Sequence, residues 1–235
     1  AAGPAVLYNG MVAPLAPYTL KGVAWYQGES DTGLPGYDRR LSAMLRDWRA
    51  RFETPNLPFT IVQLSAYGDM TKRPVESGWA EVRDVQRRVT EADGHAAIVV
   101  TIDHGDPLDI HPGEKQEVGR RAARAMRAIA YGEAVAPSGP RIASAARDAT
   151  GGVTLTFKDV SGALAPRGGG VAIGFELCGG GACRFATART EGDKVMLSGD
   201  GQPVDRIRYA WADSPVVNLF DDADLPVGPF EVPVP

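Results

Sequence analysis

Strand-like and helix-like patterns alternate three times between residues 21 and 131, and this alternation constrains the fold more than any other feature. Apolar runs typical of buried strands cover residues 21–26, 59–64 and 96–102, and amphipathic patterns follow at 37–52, 76–92 and 114–131. This order predicts a parallel sheet with helices on its faces. Three strands are fewer than the ~5–6 of an average sheet, and both outer strands would be open edges. We therefore expect further strands from the tail or from another chain.

The pattern changes after Gly132. Pro137, Gly139 and Pro140 indicate a linker, and short alternating runs separated by glycine-rich turns follow at 153–157, 171–177, 194–197 and 206–211. Such runs predict an antiparallel β layer. The proline-rich residues 218–235 are expected to form an extended segment. We therefore divide the chain into an α/β part, residues 1–134, and a β-rich part, residues 135–235.

Charge and hydropathy exclude two classes of partner. The 235 residues have a net charge of −4 and no basic stripe, so we expect no nucleic acid. No apolar run approaches the ~20 residues that span a bilayer, so we expect no membrane partner either. Residues 1–5 lack the features of a signal peptide.

Two cysteines, Cys178 and Cys183, flank a glycine-rich turn between strand-like runs. A hairpin tip can bring such a pair to bridging distance, so we predict a local disulfide and a periplasmic or secreted location. The alternative is a pair of free thiols in a cytosolic chain.

Carboxylates and imidazoles cluster after the third apolar run, at Asp103, His104, Asp106, Asp109 and His111. The carboxyl edge of the sheet is where open α/β folds keep their sites. His111 is the candidate general base, since a carboxylate shortly before it, Asp109 or Asp106, could orient its ring. The alternative is a histidine at a helix start, with the aspartates as turn and cap residues.

His104 has a second interpretation. Together with Asp103, Asp106 or His111 it could bind zinc or manganese, which accept carboxylate and imidazole ligands. Asp106-Pro107 is more simply a turn. We therefore predict no metal site and no cofactor, with His104 incidental to the chemistry.

A second polar cluster follows the first apolar run. Gln27 could donate to a developing oxyanion, Glu29 could be a second carboxylate, and Ser30 is a possible nucleophile. The alternative is a polar loop capped by Ser30 or Asp31. Ser30 does not fit the Gly-x-Ser-x-Gly elbow, because Thr32 stands where the second glycine is expected. The chain thus has a base and an orienting acid but no convincing nucleophile.

Five motifs occur in order along the chain, at residues 7–11, 25–30, 79–86, 109–112 and 208–215. In these motifs the chain resembles the sialate O-acetylesterases, which are SGNH-type serine esterases related to acetylxylan esterases with a Gln-Gly-Glu motif. The resemblance covers nearly the whole chain. The resemblance implies an SGNH-like three-layer α/β/α domain, incomplete in this chain, and removal of O-acetyl groups from sugars through an acyl-enzyme.

The resemblance also implies roles for single residues. His111 matches the general base, and Gln27 with Gly28 would lie on the oxyanion side. Asp109 matches the orienting acid, although Asp106 or Glu29 could share that role. Arg83 could bind a substrate carboxylate or lie on a solvated helix face.

The nucleophile block of that family, Gly-Gln-Ser-Asn, is absent from this sequence. We therefore expect the serine on an N-terminal fragment or a second chain. Two alternatives stay open: a self-contained esterase that uses Ser30, and a non-catalytic carbohydrate-binding module with Tyr209 and Trp211 as exposed aromatics. The sequence does not distinguish an acetylated sialic acid from acetylated xylan or another glycan.

Overall fold

The computed structural model describes residue 3, residues 5–149 and residues 151–235. Its first part contains three strands and three α-helices in alternation. They are β1 (Val23–Tyr26), α1 (Tyr37–Arg51), β2 (Phe59–Val62), α2 (Gly78–Ala92), β3 (Ala96–Val99) and α3 (Lys115–Tyr131). Short helical turns cover Tyr8–Val12, Ala13–Leu15, Glu29–Asp31 and Ile102–His104. Among the described residues, no helix combines the length and the apolarity that crossing a bilayer requires.

The three strands form a parallel sheet in the order β1-β2-β3. Phe59 and Ile61 of β2 pack in the same cluster as apolar residues of α1 and α2. Val62 packs on the other side, in a cluster with Val118 and Ala125 of α3. Because side chains alternate across a strand, the sheet has α1 and α2 on one face and α3 on the other. The predicted three-layer α/β/α fold is confirmed.

Strand β1 lies at an edge and is only partly covered. Every residue of β2 is buried, whereas Ala24 of β1 is exposed and its neighbours are half-buried. No strand pairs with the outer side of β1 in the part of the chain that the structure describes. Within the described residues, β1 is thus an open edge of the parallel sheet.

The second part is an antiparallel β structure, as the alternating runs predict. Its strands are β4 (Arg141–Arg147), β5 (Val153–Lys158), β6 (Ala165–Pro166), β7 (Ala172–Gly179), β8 (Ala182–Glu191), β9 (Lys194–Leu197), β10 (Arg206–Tyr209), β11 (Leu219–Phe220) and β12 (Phe230–Pro233). Seven of them form one sheet in the order β12-β10-β7-β8-β9-β5-β4, and β6 pairs with β11. Aromatic contacts among Phe175, Tyr209 and Phe230 fill its core.

Polar contacts join the two parts along α2. Arg208 of β10 donates to both oxygens of Glu76, at 2.9 and 2.8 Å, just before α2 begins. The backbone N–H of Glu231 in β12 donates to Asp84 of α2 at 3.3 Å. The end of the chain therefore contacts the helix that covers the parallel sheet. The division of the chain into two domains at residue 134 stays a prediction.

Candidate functional site

Three hydroxyl side chains meet where the parallel strands end. Ser65 Oγ donates to Thr101 Oγ1 at 2.9 Å, and Tyr26 Oη lies 3.2 Å from Ser65 Oγ. Thr101 Oγ1 in turn donates to the Gln63 carbonyl at 2.6 Å. Ser65 and Thr101 are buried, so their hydroxyls tie the ends of the strands together. Ser65 is therefore a structural group, and the sequence pattern gave no signal for this chain of hydrogen bonds.

The loop that carries the predicted base packs tightly against the residues after β2. A Cβ on Gly105 would overlap the Ala66 backbone, so only glycine permits this approach. The Gly68 N–H also donates to the Pro107 carbonyl at 3.1 Å. Backbone packing thus positions residues 102–112 at the carboxyl edge of the sheet, where the sequence predicts them.

Within this loop, Asp106 and Asp109 are turn residues. Asp106 Oδ1 accepts from the Leu108 N–H at 2.8 Å, and Asp109 Oδ1 accepts from the His111 N–H at 2.8 Å. The His111 side chain is exposed, and its ring has no hydrogen-bond partner among the described residues. The structure brings Asp109 next to His111 but does not join the carboxylate to the imidazole.

His104 is the imidazole that has charged neighbours. Its Nδ1 contacts the Glu114 carboxylate, and its Nε2 lies 3.3 Å from Asp103 and 3.0 Å from Arg121. Arg121 donates to both Asp103 oxygens at 2.7 Å. Burial disfavours the Arg121 charge, but the hydrogen bonds and charge of Asp103, with help from Glu117, outweigh it and raise the pKa of Arg121. His104 thus belongs to an ion-pair cluster that links the loop to α3, a link that local spacing cannot reveal.

The Gln27 cluster lies beyond the end of β1. Gln27 Nε2 donates to Asp31 at 3.4 Å, and the Gln27 carbonyl accepts from Tyr37 and from Gln86, each at 3.1 Å. The Gly28 N–H donates to the carboxylate of Glu29 at 2.9 Å. An oxyanion-side role for Gly28 would therefore require this N–H to leave Glu29.

Two further residues of this region, Gly28 and Ser30, differ in burial. Gly28 is buried, and a Cβ there would lie 3.1 Å from both Gln86 Nε2 and Val82 Cγ1, which makes the site tight for any other residue. Ser30 is exposed on the helical turn, and no described imidazole is bonded to its hydroxyl.

The position of Arg83 contradicts the expectation that it binds substrate. Its side chain is 0% exposed, and its guanidinium donates to four carbonyls, those of Leu64, Ser65, Ala212 and Asp213, at 2.7–2.8 Å. Burial lowers the pKa of Arg83 to about 9, and the charge of Asp213 opposes that change. Arg83 therefore clamps the tail onto the segment after β2 and has no surface to offer a substrate.

In the β-rich part, one expectation from the sequence is confirmed and one is wrong. Cys178 and Cys183 face each other in the β7–β8 hairpin and form the predicted disulfide. Tyr209 is 0% exposed and Trp211 only 5%, so the expectation of two exposed aromatics there is wrong. The exposed aromatic of this sheet is Phe185.

The profile of the SASA family, described as carbohydrate esterase, sialic acid-specific acetylesterase, matches residues 3–128. The chain belongs to the SASA family. The matched region includes both polar clusters, and it ends just before α3 does.

Relatives of this SASA chain extend well beyond the matched region. The chain is 37% identical over 149 residues to the sialate O-acetylesterase of Mus musculus, and the match covers 54% of this chain and 27% of the relative. For the Homo sapiens protein of the same name the identity is 35% over 149 residues, with 54% and 28% covered. A crystal structure of a carbohydrate acetylesterase from Xanthomonas citri superposes with a TM-score of 0.89 at 38% identity, over 97% of this chain and 54% of that one. The chain thus spans about a quarter of the curated relatives and about half of the solved one.

Proposed function

We propose that this SASA chain is the part of a serine-type carbohydrate O-acetylesterase that supplies the general base. His111 is the base, and Gln27 and Gly28 lie on the oxyanion side. The nucleophilic serine lies in a Gly-Gln-Ser-Asn block on an N-terminal fragment or a second chain. The observation that carries the proposal is the exposed, unbonded imidazole of His111 at the carboxyl edge of the sheet, among the residues that the structure describes.

Acetyl transfer to the serine and release of acetate both need a group that takes up a proton and gives it back, and one imidazole can serve in both steps. His111 Nε2 accepts the serine proton as the hydroxyl attacks the acetyl carbonyl, and then gives it to the sugar oxygen as that oxygen departs. In the second step a water molecule gives a proton to the same imidazole as it attacks the acyl-enzyme, and the imidazole returns that proton to the serine oxygen as acetate leaves. Each oxyanion donor is worth ~3–4 kcal/mol in the transition state.

Asp109 is the best-placed group to orient the His111 ring. Its Oδ1 accepts the His111 backbone N–H, which holds the two residues together, and its Oδ2 has no bond to any described residue. Asp106 uses Oδ1 in a similar turn and is the second candidate. Glu29 is the third, although its Oε2 accepts from Gly28.

The open edge of β1 is the proposed seat of the missing piece. An added strand there, with a helix above the exposed Ala24, would complete the sheet and bring a first-strand serine to the same edge as His111. The additional length of the relatives supports this arrangement. The disulfide supports a periplasmic or secreted location, because disulfides persist in oxidising compartments.

Purification from the natural source, with intact mass and N-terminal sequencing, tests the composition of the enzyme. We expect a second polypeptide or a longer precursor in the active fraction. A lone species of 24.9 kDa that hydrolyses acetyl esters would overturn the proposal. Parallel acetyl release from an O-acetylated sialic acid and from acetylated xylan identifies the substrate.

His111→Ala tests the base. In the complete enzyme we expect kcat to fall by at least ~10²-fold with folding unchanged, because general-base catalysis is worth ~10²–10⁴. The matched control is His95→Ala, which removes an exposed imidazole at the amino end of β3, the opposite end of the sheet from both clusters, and should leave the rate unchanged. Retained activity of His111→Ala would identify another base.

Ser30→Ala tests the alternative that the chain is a self-contained esterase. A self-contained esterase needs the Ser30 hydroxyl and would lose its activity, whereas the proposed two-part enzyme keeps it. Sugar binding by the complete protein without any acetyl release would instead favour a non-catalytic carbohydrate-binding module.

A further inference from the structure

His104 and Glu114 lie at the two ends of the loop that carries His111. His104 immediately precedes this loop, residues 105–113, and Glu114 immediately follows it. Nδ1 of His104 contacts the Glu114 carboxylate, although the two residues are ten positions apart in the sequence. This contact therefore joins the beginning of the loop to its end.

The two halves of the loop are held differently. The first half packs against the backbone of residues 66–68, after β2. The hydrogen bonds that residues 108–113 make to described residues all lie within residues 106–115. Pro112 is buried, but no hydrogen bond of the second half reaches another segment of the described chain. The contact between the two ends of the loop is therefore the polar link nearest to the half that carries the base.

His104 is the anchored partner of this contact. Its Nε2 lies 3.0 Å from a guanidinium nitrogen of Arg121 on α3. Arg121 also donates to the Val100 carbonyl at 2.9 Å and to both oxygens of Asp103 at 2.7 Å. The His104 side chain is 19% exposed and that of Arg121 only 6%, whereas the Glu114 side chain is 68% exposed. A fixed imidazole thus holds an exposed carboxylate at the end of the loop.

The partners of His104 determine where its proton lies. An ionised carboxylate only accepts hydrogen bonds, so the Nδ1 that faces Glu114 carries a hydrogen. A guanidinium only donates, so the Nε2 that faces Arg121 is free to accept. Asp103 lies 3.3 Å from Nε2, but both of its oxygens already accept from Arg121. The neutral imidazole with its proton on Nδ1 therefore satisfies both contacts.

We propose that the His104–Glu114 contact positions the loop of His111, with His104 as a positioning residue that does not touch the substrate. Loops with few contacts to the rest of a protein open most readily, and a displacement of ~1 Å at a reacting group costs up to ~10²-fold in rate. The hold on the loop follows from the contacts alone, whereas its effect on turnover rests on the proposed function.

Two substitutions of His104 separate its two contacts. The amide nitrogen of asparagine lies as many bonds from Cβ as Nδ1 does, so His104→Asn keeps the donor to Glu114. The amide oxygen of glutamine corresponds to Nε2, so His104→Gln keeps only the acceptor for Arg121. Glu114→Ala removes the same contact from the other side, and it disturbs no packing because Glu114 is exposed.

Limited proteolysis measures the hold on the loop without any esterase activity. Chymotrypsin cleaves after Leu108, which is 93% exposed, in proportion to the open form of the loop. In the complete enzyme we expect cleavage there to be about tenfold faster in His104→Gln and Glu114→Ala, because a hydrogen bond to a charged group is lost. His104→Asn should stay within about threefold of the unaltered enzyme. Cleavage after Leu34, which is 59% exposed in the loop before α1, is the internal control and should not change.

Steady-state kinetics of the same variants measures the effect on the base. We expect kcat to fall by about tenfold in His104→Gln with KM within about twofold, because the contact acts on the reacting group and not on the bound substrate. His104→Asn should restore kcat to within about threefold. Gln116→Ala, which removes an exposed side chain from the first turn of α3, is the matched control and should equal the unaltered enzyme in both assays.

Three results would overturn the proposal. They are unchanged cleavage after Leu108 in both His104→Gln and Glu114→Ala, equal behaviour of His104→Asn and His104→Gln, and faster cleavage of His104→Gln with an unchanged kcat. Retained activity of His111→Ala would instead overturn the proposed function. Because the cleavage rates do not depend on acetyl release, the two failures are distinguishable.

Discussion

Replacement of Glu176 by glutamine should make the protein more stable at alkaline pH and nearly unchanged at acid pH. Glu176 is buried on β7, and burial raises its pKa from the ordinary 4.5 to about 7. The folded chain therefore holds a proton that the unfolded chain releases between these two values. Stability that is complete below pH 4.5 is lost progressively as the pH rises toward 7.

The size of the effect follows from the gap between the two pKa values. A gap of about 2.5 pH units at about 1.4 kcal/mol per unit gives about 3–4 kcal/mol, fully developed above pH 7. Glutamine has nearly the same shape and no charge, so it avoids this cost at every pH. The difference in unfolding free energy between Glu176→Gln and the unaltered chain should rise by about 1.4 kcal/mol per unit from pH 5 to 7.

Urea unfolding at pH 5, 6, 7 and 8, followed by tryptophan fluorescence, measures this difference. Glu191→Gln on the neighbouring strand β8 is the matched control, since Glu191 is exposed, and its difference should not change with pH. A difference for Glu176→Gln that stays flat across this range would refute the assignment of a protonated, buried carboxyl. A flat difference with Glu176→Gln as the less stable protein would show that Glu176 is held ionised by Arg208.

Two further substitutions test the packing that positions the site. Gly105→Ala should destabilise the chain by about 1–3 kcal/mol because its Cβ would overlap the Ala66 backbone, whereas Gly113→Ala, with open space around it, should not; thermal unfolding compares them. Arg83→Met should cost at least about 3 kcal/mol in urea unfolding, because it strips four carbonyls of their shared donor. An Arg83→Met protein of normal stability but weakened sialic acid binding would instead support a role for Arg83 in binding substrate.

Local periodicity was sufficient for the regular elements of the α/β part. The three strands and helices lie where the patterns predict them, because each buries one apolar face or stripe against its neighbours. Strand β8 was not predicted. Half of its residues are polar and only Ala188 is buried, and it is a strand because β7 and β9 pair with it on both sides. Strands β4 and β12, the two edges of this sheet, were missed as well. β4 pairs only with the adjacent β5, and β12 pairs only with β10, more than twenty residues earlier.

By itself, the sequence determined the layered fold, the turn that the disulfide closes and the two polar clusters at the ends of strands, because these depend on residues close together in the chain. Only the tertiary structure decided what the charged groups do. Arg83 has the same helical spacing as a solvated arginine, and it is buried because residues 212–213 of the tail close over it. Glu176 is left unpaired because Glu76 and Glu231, from distant parts of the chain, occupy Arg208. Burial and ion pairing arise between segments far apart in sequence, and no local pattern encodes them.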